Sequence, residues 1–181
     1  MATLKIPNRR IKTSPSKLEN EFRFFLEIND VGSAQENDLI EELEVSPRTL
    51  FRYAGDLRLC GLKYLKYEKR SSSVFCYKDP EDLDRTYDSY DYCGGNDPHL
   101  LRLHRLICIY CTFEDEFIRY IDRIRYPEDH EDYEDVPEKV SARRVADALK
   151  ALGFSPVPSI RTLERDLKII QDEAYCYYGK I

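Results

Sequence analysis

The chain carries one seven-residue pattern twice. Ser46-Pro47-Arg48-Thr49-Leu50-Phe51-Arg52 and Ser159-Ile160-Arg161-Thr162-Leu163-Glu164-Arg165 both read Ser-x-Arg-Thr-Leu-x-Arg, about 113 positions apart. A serine hydroxyl caps a helix start, and arginines in the first two turns can then face a DNA groove or its phosphates. Two copies at that offset predict two related units, each presenting one recognition-type helix.

Other reactive residue types form weaker patterns. His104, Cys108 and Cys111 share a helix face, a spacing that could offer imidazole and two thiolates to zinc. No fourth ligand lies nearby, and the Leu, Ile and Tyr residues around them suit core cysteines. Cys60, Cys76, Cys93 and Cys176 show no ligand spacing, so neither a metal nor a cofactor is expected. The sequence has no Gly-rich phosphate loop, nucleophile elbow or metal-helix motif, and His99, His104 and His130 have no identifiable nucleophile partner. The expectation is that no residue is catalytic and that the protein is not an enzyme.

These motifs must be held by helices. Ser16 with Glu19 three residues on predicts a capping box, followed by a helix burying Leu18, Phe22, Phe25 and Leu26. Residues 29–33 break it. A second helix over 35–44 buries Leu39, Ile40 and Leu43. Ser46 caps the third, with Pro47 in its first turn and Leu50, Tyr53, Ala54 and Leu57 inward. Residues 62–67 and 74–77 read as strands around the polar loop 68–73. Lys69 and Arg70 at its tip suit phosphate contact. The order is that of a helix-turn-helix with a hairpin wing.

Residues 79–97 read as an acidic linker. Pro98 opens an apolar helix over 98–111, either core or a dimer surface. Residues 126–138 read as an acidic insertion. Ser141 caps a helix with Val145, Ala148, Leu149 and Leu152 inward, and Ser159 caps the last helix, with Leu163, Leu167 and Ile170 inward. Tyr175-Cys176-Tyr177-Tyr178 reads as a strand. The expected organisation is a basic arm (1–15), a first winged unit (16–78), the linker (79–97) and a second winged-helix-like unit (98–181). The recognition helices would cover 46–60 and 159–173. The fold class is mainly α with small β-hairpin wings, a tandem winged helix-turn-helix.

Charge is consistent with local DNA binding. The 181 residues carry a formal net charge of −6, which argues against coating DNA by bulk charge. Residues 1–17 nevertheless hold Lys5, Arg9, Arg10, Lys12 and Lys17 without one acid, and residues 48–70 set seven basic residues against Asp56 and Glu68. The acids concentrate in 79–97 and 114–138. The opposing reading is that these belts bind a basic protein or mimic DNA. No apolar run approaches a membrane span and the first thirty residues lack an apolar stretch, so a cytoplasmic protein with reduced thiols is expected.

Residues 42–52, with Leu57 and Gly61-Leu62, resemble the winged helix of bacterial DeoR-type and WYL-domain transcriptional regulators, which read Val-Ser-x-Arg-Thr-(Ile/Leu/Val)-x-Arg-Asp-Leu. Arg161-Thr162-Leu163-Glu164-Arg165-Asp166-Leu167 matches that core more fully, and the helix at 98–111 resembles the module's leading helix. Tyr53-Ala54 stands where the family has Asp-Leu, and Ala174 where it has glycine. The resemblance implies a double-stranded DNA partner and a sequence-specific regulator; a homodimer, which the sequence does not establish, would supply the two-fold symmetry for a palindromic site. The resemblance places Arg48, Thr49, Arg52, Arg161, Thr162 and Arg165 at the DNA, and the capping Ser46 and Ser159 are expected beside them.

Overall fold

The computed structural model describes residues 15–69, 73–77, 92–126 and 139–178. The predicted basic arm, Arg70, most of the acidic linker and most of the acidic insertion lie outside the described residues. Seven helices and one three-stranded sheet are present among those described. No helix among them is long and apolar enough to cross a membrane. The chain divides into two compact units, Ser16–Ile107 and, from Cys108 onward, a second one.

The first unit begins with α1 (Lys17–Val31). Ser16 Oγ accepts the Glu19 amide at 3.3 Å while Glu19 Oε2 accepts the Ser16 amide at 2.7 Å, so the capping box closes in both directions. Gly32, at φ 75°, ends the helix. There follow β1 (Ser33–Gln35), α2 (Glu36–Leu43), α3 (Pro47–Leu59), β2 (Leu65–Lys69) and β3 (Ser73–Tyr77). The sheet order is β1-β3-β2, antiparallel throughout, with Ala34 opposite Phe75 and Phe75 opposite Tyr67. β1 falls in the stretch expected to be only a break. Three residues are too few to show a strand period, and β3, forty residues later, supplies their hydrogen bonds.

The spacing in α1 predicts one buried stripe, but the helix is buried nearly all round. Phe22, Phe24, Phe25 and Ile28 are inaccessible, and so is the Glu21 side chain. α2, α3, β1 and β3 all pack against α1, and α4 (Pro98–Thr112), whose residues 98–107 belong to this unit rather than to the second, adds a contact at Glu21. His99 bonds to Glu21, while the Cys60 thiol donates to the Leu100 carbonyl at 3.4 Å. The other apolar residues of α4 are also buried, from Leu103 to Tyr110, leaving Leu101 exposed. The helix considered as a dimer surface is therefore used by the chain's own core.

The second unit holds the end of α4, α5 (Glu114–Arg125), α6 (Ala142–Ala151) and α7 (Ile160–Tyr178) around Tyr110, Phe117, Val145, Leu163 and Ile170. It contains no strand among the described residues. The strand expected at Tyr175-Cys176-Tyr177-Tyr178 is instead the last turn of α7. The guanidinium of Arg125 explains this. It donates to the Tyr178 carbonyl and, at 2.6 Å, to the Tyr175 carbonyl, and it lies 4.9 Å from the Tyr175 ring. Helix C-terminal carbonyls lack intrahelical donors and favour a cation. That stabilisation outweighs the β-propensity of a Tyr-rich segment.

Candidate functional site

The repeated septet divides into residues that build a helix and residues that do not. Ser46 Oγ accepts the Thr49 amide at 3.2 Å and lies 3.0 Å from Thr49 Oγ1. Ser159 Oγ repeats this with Thr162, at 3.3 Å to the amide and 3.0 Å to the hydroxyl. Leu50 and Leu163 are fully buried. Serine, threonine and leucine thus have local structural duties: two make the cap and one anchors the helix. Ser46→Ala and Ser159→Ala should each lower unfolding free energy by about 1 kcal/mol, read as a shift in the urea midpoint at constant slope.

The arginines have no such duty. Arg48 and Arg52 stand one turn apart on exposed positions of α3, and Arg161 and Arg165 occupy the equivalent positions of α7. None of the four has a hydrogen bond or ion pair among the described residues. Each pair is spaced i, i+4, so both members project from one helix face.

In the first unit a small aromatic cluster fixes the hairpin beside α3. Phe51, between the two arginines, meets the Tyr67 ring edge-on at 4.7 Å and the Phe75 ring at 5.3 Å. The Tyr67 hydroxyl donates to Glu36 Oε2 of α2 at 2.6 Å, and Arg58 Nε donates to the Leu65 carbonyl at 2.7 Å. β2 thereby holds Lys66 and Lys69 at exposed positions. Lys69 is among the expected phosphate contacts. Lys66 is not, although period-2 alternation from Leu65 puts it on the outward side. The exposed side of α2 is acidic, with Asp38, Glu41 and Glu44.

The His-Cys-Cys spacing is absorbed by packing. His104 is buried, with Nδ1 2.9 Å from the Cys60 carbonyl and its ring stacked on Tyr92 at 4.5 Å. Burial pushes the Cys111 thiol well above its ordinary pKa, keeping it protonated.

A second constellation is not visible in the sequence. Glu21 of α1, Asp56 of α3 and His99 of α4 converge, with Lys17 beside them. Glu21 Oε2 lies 2.6 Å from His99 Nε2, and Lys17 Nζ lies 2.7 Å from Asp56 Oδ2 and 3.3 Å from Glu21 Oε1. Burial, then a hydrogen bond to Asp56, pushes Glu21 up to about 8. Burial acts on Asp56 in the same upward sense, but hydrogen bonds from Lys17 and Glu21 outweigh it and hold Asp56 below its ordinary value. Burial and the Lys17 charge lower His99. Only the Lys17–Glu21 pair has a helical spacing that a sequence can show.

No protein-family model matches the chain, and no curated protein or solved structure matches it either.

Proposed function

We propose that the protein is a sequence-specific DNA-binding transcriptional regulator built on tandem winged-helix-type units. The observation that carries this reading is the two exposed arginine pairs, Arg48 with Arg52 and Arg161 with Arg165. Each stands on a serine-capped helix, and none has an internal partner among the described residues. The element order of the first unit and its β1-β3-β2 sheet support a winged helix there. In that arrangement α3 enters the major groove while Lys66 and Lys69 of the hairpin meet neighbouring phosphates. In the second unit α7 plays the part of α3, preceded by α6, with Lys168 on the same exposed side.

The acidic side of α2 favours a second reading, a protein-interaction module or an acidic inhibitor of a nucleic-acid-binding protein. Asp38, Glu41 and Glu44 would repel phosphates and attract a basic partner. One gel-shift experiment separates the two. The protein is mixed with the DNA upstream of its own coding sequence, with random duplex as competitor, at two salt concentrations. The regulator gives a specific complex that weakens steeply with salt. Absence of any shift at micromolar protein sinks that reading in favour of a protein partner.

A further inference from the structure

Glu21, Asp56 and His99 are not among the residues proposed to meet DNA, and the chemistry of their cluster stands whether or not the protein binds DNA. One ligand atom from each of the three residues lies within 4.8 Å of the other two. The Glu21 side chain is wholly inaccessible, while His99 and Asp56 are 30% and 18% exposed, so the cluster opens outward on one side. Glu21 Oε1 is buried without a hydrogen-bond partner, although the Lys17 ammonium stands 3.3 Å away.

We propose that Glu21, Asp56 and His99 bind a divalent transition-metal cation of the zinc class, and that Lys17 is a tethered competitor for the same position. Two carboxyl groups and an imidazole converge on one position, and a divalent cation there would displace the Lys17 ammonium and the proton that buried Glu21 otherwise holds. An imidazole among the ligands selects against magnesium and calcium, which take oxygen shells. Zinc bonds of ~2.0–2.2 Å put neighbouring ligand atoms roughly 3.3 Å apart. The 2.6 Å pair of Glu21 and His99 therefore has to open by under about 1 Å. Lys17 is 41% exposed and sits at the start of α1, so its side chain can swing into solvent and leave the fourth position to water. Bound metal would tie α1, α3 and α4 together.

The test uses the full chain, stripped with chelator, titrated with zinc chloride by calorimetry and with cobalt(II) by visible absorption. One equivalent should bind, with the ligand-field bands of a low-symmetry nitrogen and oxygen site. His99→Ala should weaken binding tenfold or more. Lys17→Met should strengthen it, because the competing ammonium is gone. A purely structural ion-pair cluster predicts no cation uptake by the wild type or by Lys17→Met, and that result overturns the proposal. Thiolate-to-cobalt charge-transfer bands, or unchanged affinity in His99→Ala, would place the metal on cysteines and overturn it equally. Circular dichroism checks the fold of each variant. Should His99→Ala not fold, Asp56→Asn must weaken binding and Lys17→Met strengthen it, and unchanged affinity in both overturns the proposal.

Discussion

Arg48→Ala/Arg52→Ala should weaken specific duplex binding by about 30- to 1,000-fold, roughly 2–4 kcal/mol if each arginine contributes a groove or phosphate contact. The fold should hardly notice, since both side chains are exposed and have no partner among the described residues, and surface changes of this kind usually stay within about 0.5 kcal/mol. Fluorescence anisotropy against salt, with chemical denaturation alongside, reads both quantities. The salt dependence is informative by itself. Losing one phosphate contact lowers the logarithmic slope by about 1, whereas losing a base contact leaves the slope and relaxes the sequence preference. Arg161→Ala/Arg165→Ala, measured in the same way, reports on the second helix. Equal losses mean that both helices touch DNA, and an effect confined to α3 assigns α7 a structural role. Unchanged affinity in both double variants would remove the regulator reading.

Glu21→Gln should stabilise the protein above neutral pH and change little near pH 5. The sign follows from proton binding. Glu21 is raised from 4.5 to about 8 in the folded state, so the native protein holds a proton that the unfolded chain has released. Stability then falls as pH rises across that interval. Glutamine remains neutral and can still donate to Asp56 and accept from His99, so it removes the penalty. The groups facing Glu21 are Lys17 on its own helix, Asp56 on α3 and His99 on α4. Asp56 works in the opposite sense, giving stability that is lost only as pH drops below its usual range. The rise from 4.5 to about 8, at about 1.4 kcal/mol per pKa unit, sets an upper bound of about 4 kcal/mol on the gain at pH 8. Denaturation in the presence of a chelator, from pH 5 to pH 8.5, measures it. A variant that is less stable than the wild type at every pH, or a difference that does not change with pH, would contradict the burial of an ionisable Glu21.

The local rules read correctly wherever partners lie within a turn. The Ser16, Ser46, Ser141 and Ser159 caps each bind an amide three residues ahead. The inward stripe of α3 is Leu50, Tyr53, Ala54 and Leu57, all buried. The hairpin was legible because its strands are close in sequence and separated by a polar stretch, although β2 lies two to three residues later than expected. β1 was not legible, nor was the helical end of α7, because the groups that settle them lie forty to fifty residues away.

The candidate interface shows the same division. Sequence alone determined that two serine-capped helices carry arginines at matching positions, because capping and spacing are local properties of the chain. Tertiary structure alone decided that these arginines lack partners among the described residues, and that Phe51 and Tyr67 hold a lysine-bearing hairpin beside one pair. It alone brought Glu21, Asp56 and His99 from three helices into one cluster. Burial and charge convergence depend on which surfaces meet, and here His99 of α4 reaches Glu21, a carboxylate of α1 that its own sequence would have left to water.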